Sequence, residues 1–155
     1  AVALVDGNVV AACMFGKNSI DKALEAGTML MSTEEATAAG ITSFDITSVT
    51  DKFLAENPEM VRTFLEVTAE ANAAWAAGKS DINVIAKDAG MTVEKTKNQM
   101  AGFKFPTPAE QKATWMNKGG KVQGMLEFMG KMFATDENPA LKDYYKTMNA
   151  SFLPG

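Results

Sequence analysis

Histidine is absent from these 155 residues, and cysteine occurs once, as Cys13. The first absence removes the commonest general base and the commonest metal ligand together. A single thiol can close no disulfide within the chain and cannot build a thiolate zinc site, and it says nothing of redox compartment. Basic residues are outnumbered: 15 Lys and Arg stand against 19 Asp and Glu, for a net charge of −4. A chain so balanced has no cationic stripe with which to follow a phosphate backbone, so nucleic acid is not an expected partner. No apolar run approaches the ~20 residues that span a bilayer. The apolar start, residues 1–4, is ended by Asp6 and has no basic region before it, so it does not read as a signal peptide. The first residue is not Met, and the chain is expected to be a processed or truncated product. With no histidine, no nucleophile–base pair and no metal cluster, it is expected not to be an enzyme and to need no cofactor.

What is present is an ordinary acidic composition, 46% apolar and 22% charged, enough for one core or two small ones. Residues 1–6 read as the tail of a helix stopped by Gly7. Residues 9–15 form a continuous apolar run of strand length, the pattern of a buried parallel strand. Asn18 is placed to cap a short helix over residues 19–25. Residues 29–31 read as a brief strand, and Ser32 with Glu35 as a capping box for a helix stopped by Gly40. A strand is expected over residues 43–49, then a short helix. Asn57 and Pro58 open the longest helix, whose Met60, Val61, Phe64, Leu65, Thr68, Ala71 and Trp75 share one face, with Gly78 at its end. From there the pattern is helical. Ser80 opens a helix to Lys87, Thr92 opens another that closes near Gly102, and Thr107-Pro108-Ala109-Glu110 is a second capping box. Helices over residues 123–133 and 141–148 finish the chain. Strands in the first third and helices thereafter make an α/β fold, with few parallel strands and an α-rich tail. About three strands against about seven helices is a poor free-standing domain, and half of a larger α/β protein is the easier reading.

Three stretches carry a family resemblance. The first is Asp6-Gly7-Asn8-Val9-Val10-Ala11-Ala12-Cys13-Met14-Phe15, similar to a G-D-I-D-A-A-Y-V-W segment. The second is Gly40-Ile41-Thr42-Ser43-Phe44-Asp45-Ile46-Thr47-Ser48-Val49-Thr50-Asp51-Lys52-Phe53, running on through Asn57-Pro58 to Val61. The third is Phe103-Lys104-Phe105-Pro106-Thr107-Pro108-Ala109-Glu110-Gln111, and the end, Met148-Asn149-Ala150-Ser151-Phe152-Leu153, is similar too. In order and spacing they resemble the solute-binding proteins of ABC importers for nitrate, sulfonates and taurine, above all the taurine branch. The likeness covers essentially all of this chain, but only the C-terminal half of a typical member. It implies a two-lobed type II periplasmic binding protein with ligand in the cleft between lobes. On that pattern residues 1–31 finish the second lobe, residues 32–42 cross over, and residues 43–155 return to the first lobe with its C-terminal helices. The implied function is capture of a small amino-sulfonate such as taurine, in the periplasm or anchored outside the cell, for delivery to an ABC permease. The implied partners are that permease and an N-terminal half. Self-association of the fragment is also expected, because cutting a bilobal protein exposes lobe core.

The resemblance places the ligand-binding residues at Asp45, Phe15, Phe44, Thr42 and Met14, with Gly16 beside them. An ionised Asp45 would take the ligand's ammonium through a charge-assisted hydrogen bond. Asp is disfavoured inside strands, so its place among Phe44, Ile46 and Val49 asks for a reason; a solvent-facing edge or a helix cap is the plain alternative. Phe15 stands where the family commonly has Trp against the ligand's carbons, a departure that would alter the ligand accepted, and strand-end packing is its alternative. Sulfonate donors belong mostly to the half not present here. Other solutes remain open, such as an alkanesulfonate, nitrate or a pyrimidine precursor, although Asp45 argues against a purely anionic one. A fragment that serves only as a structural or interaction module is a further alternative.

Other signals fall away on inspection. Residues 124–131 look like a phosphate loop, but five residues separate their glycines where four are needed, and Met132 replaces the magnesium-binding hydroxyl. The scattered methionines fit core filling, and Met125, Met129 and Met132 fit one helix face. Glu34-Glu35 and Asp136-Glu137 are adjacent pairs, poorly placed for paired acid–base work. Asn149-Ala150-Ser151 is a chance-prone glycosylation pattern. Trp75 and Trp115 lie in helical patterns and are expected to pack.

Overall fold

The structure is a computed structural model, and it describes every residue except Thr42. Among the described residues 53% are helical and none is in a strand. The α/β fold with parallel strands expected from the sequence does not form. A strand needs a neighbouring strand to take its N–H and C=O groups, and a parallel one needs helices over both faces. Residues 9–15 and 43–49, the two longest expected strands, carry no regular structure and form no backbone ladder among the described residues. Nearly all their side chains are exposed, which removes the burial that a continuous apolar strand requires.

The α-helices are α1 (Val2–Val5), α2 (Lys17–Ala23), α3 (Thr33–Ala38), α4 (Asp51–Glu56), α5 (Pro58–Ala76), α6 (Ile82–Asp88), α7 (Val93–Met100), α8 (Pro108–Glu110) and α9 (Lys121–Met132). A π-helical turn, Gln111–Trp115, continues α8, and a 3₁₀ turn covers Tyr144–Thr147. Local signals set many of these limits. Ser32 N donates to Glu35 Oε2 at 2.7 Å and Glu35 N to Ser32 Oγ at 3.1 Å, the expected reciprocal box at the head of α3. Thr107 and Glu110 form the second box, at 2.7 and 3.2 Å. Thr92 caps α7 through Lys95 N, and Pro58 begins α5. Other limits move. Asp81, not Ser80, caps α6, because its carboxylate accepts from Asn83 N at 2.9 Å. Of the helix expected over residues 141–148 only the 3₁₀ turn is present.

The chain divides into two compact units, Ala1–Glu35 with Lys79–Lys104, and Ala36–Gly78 with Phe105–Gly155. In the first, α7 packs against both α2 and α6, and α1 against α2. Small side chains make this approach possible: Ala23, Ala86 and Thr96 are the ones buried there. The Thr96 hydroxyl donates to Thr92 O at 2.9 Å, so its burial leaves no polar atom unmatched.

A polar clamp completes the α2–α7 contact. Asn98 Nδ2 donates to Asn18 Oδ1 at 2.8 Å and to Asp21 Oδ2 at 2.7 Å, and Asn18 Nδ2 donates to Lys95 O at 3.0 Å. Asn18 N donates to Gln99 Oε1 at 3.2 Å. The expected cap residue is therefore inside α2 and works across the interface, while Gly16 stands at the N-cap with φ of +80°. Gln99 lies so close over Gly16 that any Cβ there would overlap it. The left-handed backbone angle favours glycine at this position.

In the second unit, α4 packs on α5, and α9 packs on the π-helical turn and on the 3₁₀ turn. Val61 of α5 and Val122 of α9 are its buried apolar residues among those described. The terminal segment is tied in by Arg62, whose guanidinium carbon lies 4.5 Å from the Phe152 ring centroid, and by Lys112, which donates to Pro154 O at 2.9 Å. Burial is otherwise thin. Met60 and Phe64, on the expected packing face of α5, stay more than half exposed. The described surface is 11,539 Å², whereas two separate compact domains of these lengths would together expose about 9,000 Å².

Candidate functional site

Asp45 lies in residues 43–50, which carry no regular structure and lead to Thr50, the N-cap of α4. Its side chain is exposed, and no Lys or Arg lies within ion-pair distance of it among the described residues. Its neighbour Phe44 is half-buried, and what holds it is Trp115: the ring centroids are 5.8 Å apart with an 81° angle between planes. Such an edge-to-face pair adds about 0.5–1.5 kcal/mol beyond the area it buries.

Trp115 is the last residue of the π-helical turn. Met116 N donates to Gln111 O at 2.8 Å, the long-reach bond that inserts one residue into a helical run. The insertion turns Trp115 away from the phase that ordinary helical spacing would give it. The turn is held in place by the Thr107–Glu110 box before it and by Gln111 Nε2, which donates to Pro106 O at 2.9 Å. On the same indole lies a cation, Lys121 Nζ, 4.8 Å from the ring centroid, at the first position of α9. No carboxylate is within ion-pair distance of Lys121 among the described residues.

The second unit therefore joins an aromatic pair with an ammonium over one ring, and the residue after the other ring's phenylalanine in the chain is the exposed carboxylate Asp45. The set combines apolar ring surface with a cation, and Asp45 adjoins it in sequence. Of the residues expected at a ligand site, Phe44 belongs to it and Asp45 follows it in the chain. Met14 and Phe15 belong to the first unit, Met14 half-buried and Phe15 80% exposed. Gly16 is occupied by Gln99, and Thr42 lies outside the described residues. Trp115 and Lys121 were not legible as site residues: the tryptophan sits in a helical pattern, and nothing local marks the lysine.

The first unit has an open groove of about 410 Å³ along α2 and α7, lined by Asn18, Asp21, Lys22, Glu25, Lys95 and Asn98 among others. Its polar groups largely satisfy one another through the clamp and the Lys22–Glu25 pair. Hydrogen bonds from Asn98 and then Lys17 hold the Asp21 carboxyl below its ordinary range. Little is left over for a ligand. Among the described residues no cluster of acidic or thiol side chains is arranged to hold a metal ion, and no helix is long and apolar enough to cross a membrane.

No family model, curated protein or solved structure matches this chain. The resemblance to taurine-type receptors accordingly rests on the quoted motifs.

Proposed function

We propose that this chain contributes to a periplasmic, or membrane-anchored extracellular, receptor that captures a small amino-sulfonate such as taurine and passes it to an ABC permease. It acts together with an N-terminal half and catalyses no reaction. The observation that carries this reading is the Phe44–Trp115 ring pair with the Lys121 ammonium over one ring, and the exposed Asp45 carboxylate next to Phe44 in the chain. A taurine-like zwitterion has matching parts. Its ammonium suits the carboxylate, its sulfonate suits the lysine, and its two carbons suit the ring surface. A purely anionic solute such as nitrate would meet repulsion from Asp45, which disfavours that alternative.

The test uses Trp115 as its own reporter in a Trp75→Phe background, which leaves one indole. Taurine is expected to change the fluorescence saturably, and Asp45→Ala to weaken that response about tenfold, the loss of one charge-assisted hydrogen bond. Ethanesulfonate, which lacks the ammonium, is expected to bind more weakly than taurine and to be indifferent to Asp45→Ala. Equal responses to both ligands would replace the amino-sulfonate reading with an alkanesulfonate one. No response from a well-folded chain at millimolar taurine would overturn the ligand-binding role given to Asp45, Lys121 and the Phe44–Trp115 rings, which all lie in this chain.

A further inference from the structure

Residues 9–15, Val-Val-Ala-Ala-Cys-Met-Phe, carry no charge, no proline and no glycine. They belong to the first unit and form neither helix nor strand. From Val10 to Phe15 no backbone N–H or C=O takes part in a hydrogen bond within the described structure. Most side chains are open as well: Val10 is fully exposed and Phe15 80% exposed, while Met14 is half-buried. Natural proteins guard such β-prone stretches with a charge, a proline or a covering element. Here the guard is missing.

We propose that residues 9–15 pair, backbone to backbone and antiparallel, with the same residues of a second copy of this chain. Two observations choose that occupant. The stretch is neutral throughout, so a copy of itself meets no like charge across the pair. Its nearest charged neighbours are Asp6 on one side and Lys17 on the other. Antiparallel alignment sets the acidic end of each copy beside the basic end of its partner, whereas parallel alignment would oppose like charges. Lys17 already pairs with Asp21 at 2.9 Å, in the open, and its ammonium has further donors. A two-fold pairing is isologous and closes on itself, each strand's N–H groups meeting the other's C=O groups. The inference involves the first unit alone and no ligand, so it stands or falls apart from the receptor reading.

Sedimentation velocity of the full chain over a range of concentrations tests it, with Val10→Lys and Ala12→Pro beside the wild type. The wild type is expected to dimerise. Val10→Lys sets a charge opposite the apolar Met14 of the other copy, near that copy's Lys17, and Ala12→Pro removes a pairing N–H, so each should raise the dimer dissociation constant about tenfold or more. Both positions are exposed and free of hydrogen bonds, so helix content by circular dichroism should not change. A short bis-maleimide should join two wild-type copies through Cys13 and fail to join either variant at the same concentration. A monomer at every concentration, or a dimer that both variants leave intact, would overturn the proposal.

Discussion

Tyr144 lies across Gly130 of α9 so closely that a methyl group on that glycine would overlap the phenol ring and its hydroxyl. The same hydroxyl accepts from Leu141 N at 3.2 Å, so the 3₁₀ turn is fastened at both its ring and its oxygen. Glycine inside a helix ordinarily costs about 0.5–1 kcal/mol relative to alanine. The contact with Tyr144 is what this helix gains in return.

Gly130→Ala should therefore destabilise the second unit by about 1 kcal/mol despite the better helix former, since overpacking outweighs propensity. In a Tyr144→Ala background the same substitution should become stabilising by about 0.5–1 kcal/mol. Thermal melts of the four chains give both signs, and a stabilising Gly130→Ala in the wild type would contradict the contact.

Thr96→Val should change stability by less than about 1 kcal/mol, because the valine keeps the buried shape and Thr92 O retains its bond from the backbone N–H of residue 96 at 2.9 Å. Thr96→Asn should be clearly destabilising, since it forces a larger polar group into a fully buried place. Urea denaturation midpoints would separate the two outcomes.

Asn98→Ala should loosen α7 from α2, costing about 1 kcal/mol for the neutral bond to Asn18 alone. The double variant with Asp21→Ala should fall less than the sum of the singles, because both remove the same bond of 2.7 Å. Additive losses would show that the clamp does not act as a unit.

Acid should melt the helix starts in a defined direction. Glu35 and Glu110 are held below their ordinary range by bonds from Ser32 and Thr107, backbone N–H first, and Asp81 by the Asn83 N–H. A carboxyl with a lowered folded value is protonated first in the unfolded chain. Its stabilisation is complete above the ordinary carboxylate value of about 4 and is lost as pH falls through the folded value. Melting temperature should drop on acidification below that point, and Glu35→Gln with Glu110→Gln should flatten the drop.

Phe44→Ala should expose the Trp115 edge and shift its emission to the red, while Lys121→Met should leave the ring packing in place and remove only the cation. Emission spectra in the Trp75→Phe background distinguish these. An unshifted Phe44→Ala spectrum would mean that the ring pair is not populated in solution.

The candidate site was half legible. Phe44 and Asp45 stand out in one sequence block, as an aromatic and a carboxylate set among strand-type residues. Trp115 reads as helix packing because the inserted residue of the π-helical turn leaves no mark in apolar spacing. Lys121 reads as any surface lysine, since its neighbour in space is not its neighbour in sequence. Asn18 shows the same limit: as a polar residue before an apolar run it reads as a cap, but its partners Lys95 and Gln99 lie 77 and 81 residues away.

By itself the sequence determined where several helices start: Ser32 with Glu35, Thr92, Thr107 with Glu110, and Pro58. Capping joins groups within three residues of each other, so the information is complete in a short window. Only the tertiary structure decided that residues 9–15 and 43–49 are not strands, and that a phenylalanine, a tryptophan and a lysine from separate segments meet. A strand's partners and an aromatic pair are contacts between distant parts of the chain, and no local pattern specifies which distant part will be there.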